Sequence, residues 1–163
     1  MNPTLRRTND DIKDAVKLWC KNPEKAKRVY GPIMHWDTSR VTDMSSLFMN
    51  QKYFNDDITR WDVSNVTNTG FMFYNATYFN QNIGWWDVSK VTNMTGMFCS
   101  ATNFNGDISK KDVNKNDGSV YNAWNVSKVE CMNTMFMNAI NFNQDISGWD
   151  VSSVTNMSDM FTN

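Results

Sequence analysis

Tryptophan recurs with a fixed period: Trp36, Trp61 and Trp86 are 25 residues apart, Trp124 follows after 38, and Trp149 after a further 25. A period of that length confines the chain to an array of like units, because a single unit has no opposing layer for its apolar face and buries it only against its neighbours. The phase survives the 13-residue insertion ahead of Trp124. Counted from each Trp, the same offsets carry apolar residues: Trp86, Val88, Val91, Met94, Met97, Phe98, Ala101, Phe104 and Ile108 recur as Trp124, Val126, Val129, Met132, Met135, Phe136, Ala139, Phe142 and Ile146. Eight or nine such positions per unit, each contributing about 1.5 to 3 kcal/mol when buried, offset the ordering entropy of the stack.

Two spacings alternate within a unit. Alternation over Trp61 and Val63 suits a short strand with Asp62 pointing outward. Met94, Met97, Phe98 and Ala101 follow the i, i+3, i+4, i+7 pattern of about two helical turns, with Thr42-Asp43, Thr92-Asn93 and Thr155-Asn156 as N-cap candidates. The expected fold class is therefore an α/β repeat solenoid, with a parallel strand ladder at ~4.8 Å spacing and short helices on the convex side. The recurring Phe-Asn pairs (Phe54-Asn55, Phe79-Asn80, Phe104-Asn105, Phe142-Asn143) predict an asparagine ladder along the return loops.

The run from Phe79 to Met94, Phe-Asn-Gln-Asn-Ile-Gly-Trp-Trp-Asp-Val-Ser-Lys-Val-Thr-Asn-Met, resembles the signature of BspA-like surface-protein repeats, a divergent leucine-rich-repeat group. The resemblance covers roughly 34–163, and the preceding Ala15-Val16-Lys17-Leu18-Trp19 and Tyr30-Gly31 are similar to that family's lead-in. It implies a leucine-rich-repeat-like right-handed horseshoe, surface adhesion or protein binding, and a cell-surface or virion setting.

Residues 1–33 read as an N-terminal helical cap: an amphipathic helix over Asp10 to Cys20 capped by Asn9 or Thr8, then a second from Asn22-Pro23 to Gly31-Pro32. Residues 34–163 hold four repeats and a truncated fifth, with an inserted loop near 111–123. In the fifth unit Met157, Met160 and Phe161 have no following unit in the sequence, which predicts either self-association at that end or a chain that originally continued.

Asp37, Asp62, Asp87 and Asp150 form an outward acidic column, and Ser39, Ser64, Ser89, Ser127 and Ser152 a second beside it. These are the expected partner-binding positions, set against a purely local role in which Asp and Ser bond adjacent turns. The inserted loop adds Asp112, Asn114, Asn116 and Asp117. Asp112-x-Asn114-x-Asn116-Asp117-Gly118 approaches the first half of a calcium loop, but its glycine is one place late and Ala123 stands where the twelfth-position glutamate belongs, so no metal is expected. Cys20, Cys99 and Cys131 are irregularly spaced and lack a histidine cluster, and His35 is the only histidine. Neither catalytic residues nor a cofactor follow from such a set, and the chain reads as a non-enzyme. A net charge of -1 gives no basis for nucleic-acid binding, and no apolar run reaches a membrane span or a secretory signal. Two functions fit: a protein-binding or adhesion module acting through a concave strand face, or an assembly subunit joining through its C-terminal end as a homo-oligomer.

Overall fold

A computed structural model describes residues 5–115 and 117–163. Strand β1 (Arg6–Thr8) leads into helices α1 (Ile12–Lys21) and α2 (Pro23–Tyr30), then a 3-10 turn over Ile33–His35 and strand β2 (Asp37–Arg40). β1 and β2 pair in parallel, and the insertion folds as an antiparallel hairpin of β3 (Lys111–Asn114) and β4 (Val120–Ala123).

The described residues thus contain two helices and two separate two-stranded sheets, with turns and coil between them. This corrects the fold expected from the sequence. The leucine-rich-repeat-like α/β solenoid with a parallel strand ladder and convex helices does not form, and backbone hydrogen bonding shows why. The Trp-Asp-Val-Ser segments close i to i+3 turns, as in Trp61 N–H to Ile58 O at 3.1 Å and Val66 N–H to Val63 O at 2.9 Å. Where a helix was expected, left-handed residues recur every fourth position, as at Ser46 and Asn50, Phe71 and Asn75, and Thr134 and Asn138, which resets the chain after each turn. A helix also needs its N–H groups for the fourth carbonyl back, and here alternate N–H groups are committed to the next unit instead.

Those commitments link the units. The N–H of Met44 meets the carbonyl of Asn68, Thr69 meets Asn93, Met94 meets Cys131 and Met132 meets Asn156, at 2.9 to 3.0 Å. Each accepting carbonyl and the next donating N–H belong to one peptide group, so the bonds run end to end along the stack. Three further columns do the same, starting from Ser46, Phe48 and Asn50 and ending at the carbonyls of Ser158, Met160 and Thr162. Peptide dipoles aligned in this way polarise one another, as they do in a helix. The thread through Thr67, Thr92, Glu130 and Thr155 runs the opposite way, each N–H donating to the preceding unit. One isolated parallel bridge per pair of units, Asp43 to Asn68 to Asn93 to Cys131 to Asn156, is all the strand pairing the stack contains.

Side chains stack in register. Phe48, Phe73, Phe98, Phe136 and Phe161 form a column with centroids 5.5 to 5.7 Å apart. Phe54, Phe79, Phe104 and Phe142 form a second, at 5.8 to 6.0 Å. Both fall within the offset-stacking range of about 4.5 to 7 Å. Of the residues named from the repeat, Met94, Met97, Phe98 and Ala101 are buried even though the backbone that buries them is not helical, and Phe142 and Ile146 in the fourth unit are partly buried. Four Trp indoles donate to carbonyls earlier in the chain: Trp36 to Gly31, Trp61 to Ile33, Trp124 to Ile83 and Trp149 to Ile108, at 2.9 to 3.0 Å. The asparagine ladder is present, Asn55, Asn80 and Asn105 each accepting the N–H of the next unit's Asn at 2.8 to 3.0 Å.

At the first unit, α1 lies along the turns. Asn9 Oδ1 accepts the N–H groups of Thr42 and Asp43, Lys13 reaches Asp43 and Ser45, and Trp19 Nε1 donates to Asp56 at 2.9 Å. Asn9 is therefore spent on the repeat, and Asp11 stands at the N-cap of α1. Asn22 caps α2 through Lys25 N–H, as its Asn-Pro sequence predicts.

Candidate functional site

The Thr-Asn and Thr-Asp pairs named as helix caps make Asx turns: Asp43, Asn93 and Asn156 each accept the N–H two residues on, as does Asn68. The acidic and serine columns do likewise. Oδ1 of Asp37 takes both N–H and Oγ–H of Ser39, Asp62 takes both from Ser64, and Asp87 and Asp150 take the N–H of Ser89 and Ser152. Asn125 replaces the carboxylate for Ser127. The bonds from Ser39 hold the Asp37 carboxyl below its ordinary value, and those from Ser152 do the same for Asp150. Each carboxylate spends one oxygen on its turn. The second oxygen of Asp37 meets Arg6 at 3.3 Å, and those of Asp62 and Asp87 have no partner among the described residues.

In the insertion, Asp112 pairs with Asn122 across the hairpin, and Asp117 accepts Ser119 N–H and Oγ–H at 2.9 and 2.7 Å to shape the tip. Asn116 lies outside the described residues. Among the described residues no three His, Cys, Asp or Glu side chains gather as a metal would require. The hairpin leans on Trp85. Tyr121 Oη–H donates to its carbonyl at 2.5 Å, the Lys111 ammonium sits 5.1 Å from its ring, and Lys111 pairs with Asp107. Burial, with the nearby carboxylates of Asp87 and Asp62, raises the Tyr121 phenol above its ordinary value. Trp85 was not singled out in the sequence. Its signal was its rarity, since the residue before the repeat Trp is His35, Arg60, Ala123 or Gly148 in the other units.

The fifth unit completes the picture. Val151, Met157 and Phe161 are 38%, 40% and 56% exposed, whereas Val126, Met132 and Phe136, their counterparts one unit earlier, are at most 2% exposed. Met160, also named from the sequence, is buried. Met157, Asp159 and Phe161 continue the donor columns, and none of their N–H groups has a backbone acceptor among the described residues. The edge thus offers a row of donors beside an apolar strip.

The family model described as "Mycoplasma protein of unknown function, DUF285" matches residues 21–122 and 115–163. The chain belongs to this family. The two DUF285 matches meet within the inserted hairpin, so the family pattern resumes beyond it as it began. No curated protein and no solved structure matches the chain. Among the described residues of this DUF285 member no helix is long and apolar enough to cross a membrane.

Proposed function

We propose that this chain is a protein-binding module whose row of donors and apolar side chains at Val151, Met157 and Phe161 takes an extended polypeptide presenting backbone carbonyls, whether a further repeat of the same polypeptide or a partner chain. The observation that carries the reading is the exposure of Val151, Met157 and Phe161 beside three unmatched N–H donors. Main-chain bonds supply affinity in such strand-addition modes, and side-chain seats supply selectivity. The four contacts between successive units have the same makeup, donors above and carbonyls below with Phe on Phe, so the matching partner is another edge of this repeat type. Two tails brought together would set N–H against N–H, and the head of a second copy lies under α1. The edge therefore favours a partner chain over its own tail. Resemblance to BspA-like surface repeats points to the same class, protein binding, and a partner that continues the stack would make the chain an assembly element.

A peptide of residues 128–142, from the fourth unit, carries the carbonyls of Cys131, Asn133 and Met135, the same kind of row that the fifth-unit donors would meet in a next unit. Added to the full chain, it is expected to protect the Met157, Asp159 and Phe161 amides from hydrogen exchange, while a scrambled peptide does not, and Phe161→Asp abolishes the effect. Unchanged exchange at saturating peptide would refute the reading.

A further inference from the structure

Unit three departs from the others at one place. Trp85 is added ahead of the repeat Trp and is 51% exposed, the hairpin is folded against it, and the buried Trp86 indole N–H lacks the carbonyl partner its counterparts have. Trp85, Trp86 and Tyr121 line a groove of about 390 Å³ together with Arg60, Asp62 and Asp87. Trp85 also borders a second hollow of about 550 Å³ lined by Asn80, Asn82, Asn105, Asp107 and Lys111. Its contacts with Lys111 and Tyr121 hold the hairpin, but the exposed half of the indole contributes little to the core.

The lining selects a ligand class. Two carboxylates face two cations, Arg60 and Lys115, so the groove carries no net charge. Lys111 lies 5.1 Å from the Trp85 ring and Lys115 5.1 Å from the Tyr121 ring, so a cationic ligand at either ring would meet like charge, which a neutral ligand on the indole face away from Lys111 would not. What remains is an apolar ring surface flanked by fixed acceptors and planar amides. We propose that this groove binds a neutral oligosaccharide of β-linked, all-equatorial sugars, stacking one ring on Trp85 while Asp62 and Asp87 accept hydroxyl hydrogens through their free oxygens. All-equatorial hydroxyls leave the ring faces lined with C–H groups, which suit an indole, and project O–H groups sideways toward acceptors. The hollow beyond Trp85, lined with Asn amides and Asp107, extends the track for a chain of more than one sugar. This site is independent of the open edge.

Isothermal titration of the full chain with cellohexaose, with hexa-N-acetylchitohexaose and with a lysine hexapeptide tests it. One of the two saccharides is expected to bind saturably, Trp85→Ala to weaken it at least about tenfold, and Trp85→Phe, with a smaller ring, to fall between. Asp62→Asn with Asp87→Asn should weaken binding without removing the platform, and Phe161→Asp should leave it unchanged. The proposal is overturned if neither saccharide binds at about 10 mM, if Trp85→Ala binds like wild type, or if only the lysine peptide binds.

Discussion

Replacing Phe98 by alanine removes a ring at the centre of the stack. Phe98 is fully buried and touches Phe73 at 5.6 Å, Phe104 at 4.0 Å, Phe136 at 5.7 Å and Trp124 at 6.4 Å, so three units share it. A fully enclosed Phe→Ala change costs about 3 to 5 kcal/mol, and the neighbouring rings are held by the same columns, leaving little room for collapse. Phe161 is the same residue at the same offset, but it is 56% exposed and meets Phe136 alone in the column. Its truncation should cost about 1 kcal/mol. For a chain of this size the pair should differ in melting temperature by roughly 4 to 16 °C. Urea titration and calorimetry on both variants measure the gap. Equal losses, or a larger loss at Phe161, would refute the view that stability comes from coupling between units.

Gly96 sits at φ +57° with the Phe71 ring 2.6 Å from where a Cβ would stand, whereas Gly118, at φ +82°, has nothing within 4 Å. Gly118→Ala should therefore cost about 1 kcal/mol from backbone strain, and Gly96→Ala distinctly more in the same denaturation assay. Hydrogen bonds from Lys111 first and Ser109 next lower the Asp107 carboxyl from 3.8 to about 2. Its stabilising contribution is thus complete above the unfolded value and lost as pH falls through about 2. Amide exchange in β3 should accelerate over that window, and Lys111→Met should reduce the pH dependence to what the Ser109 bonds sustain. Asn80→Ala breaks one rung of the asparagine ladder, at a cost of about 1 kcal/mol, measurable by denaturation.

The repeat text identified which residues are buried but not the backbone that buries them. Met94, Met97, Phe98 and Ala101 satisfy a helical face, and the same spacing also suits successive i to i+3 turns. The deciding feature is a left-handed residue every fourth position, and in this chain it falls on Ser46, Asn50, Phe71, Thr134 and Asp159. Gly96, Asn50, Asn75 and Asn138 favour that geometry, whereas Ser46, Phe71 and Thr134 give no sign of it in the sequence. The same ambiguity hid the role of the columns. Of the two roles open to Asp62 and Ser64, the local one is seen, the pair closing a turn and leaving one carboxylate oxygen over. The exposure of Met157 and Phe161 was legible from the register, whereas Met160, named with them, is buried and Val151 was not singled out. The groove beside Trp85 was not, because it depends on where a hairpin from 111–123 lands on a residue many positions earlier.

Residue-resolved hydrogen exchange of the full chain tests the continuous peptide columns most directly. If N–H groups run end to end through the units, the amides of Phe73, Gly96 and Phe98 should exchange slowest, while Met157, Asp159 and Phe161, last in the same columns, should exchange close to the rate of exposed peptide. Uniform protection from Phe73 to Phe161, or fast exchange at Gly96 and Phe98, would contradict the account.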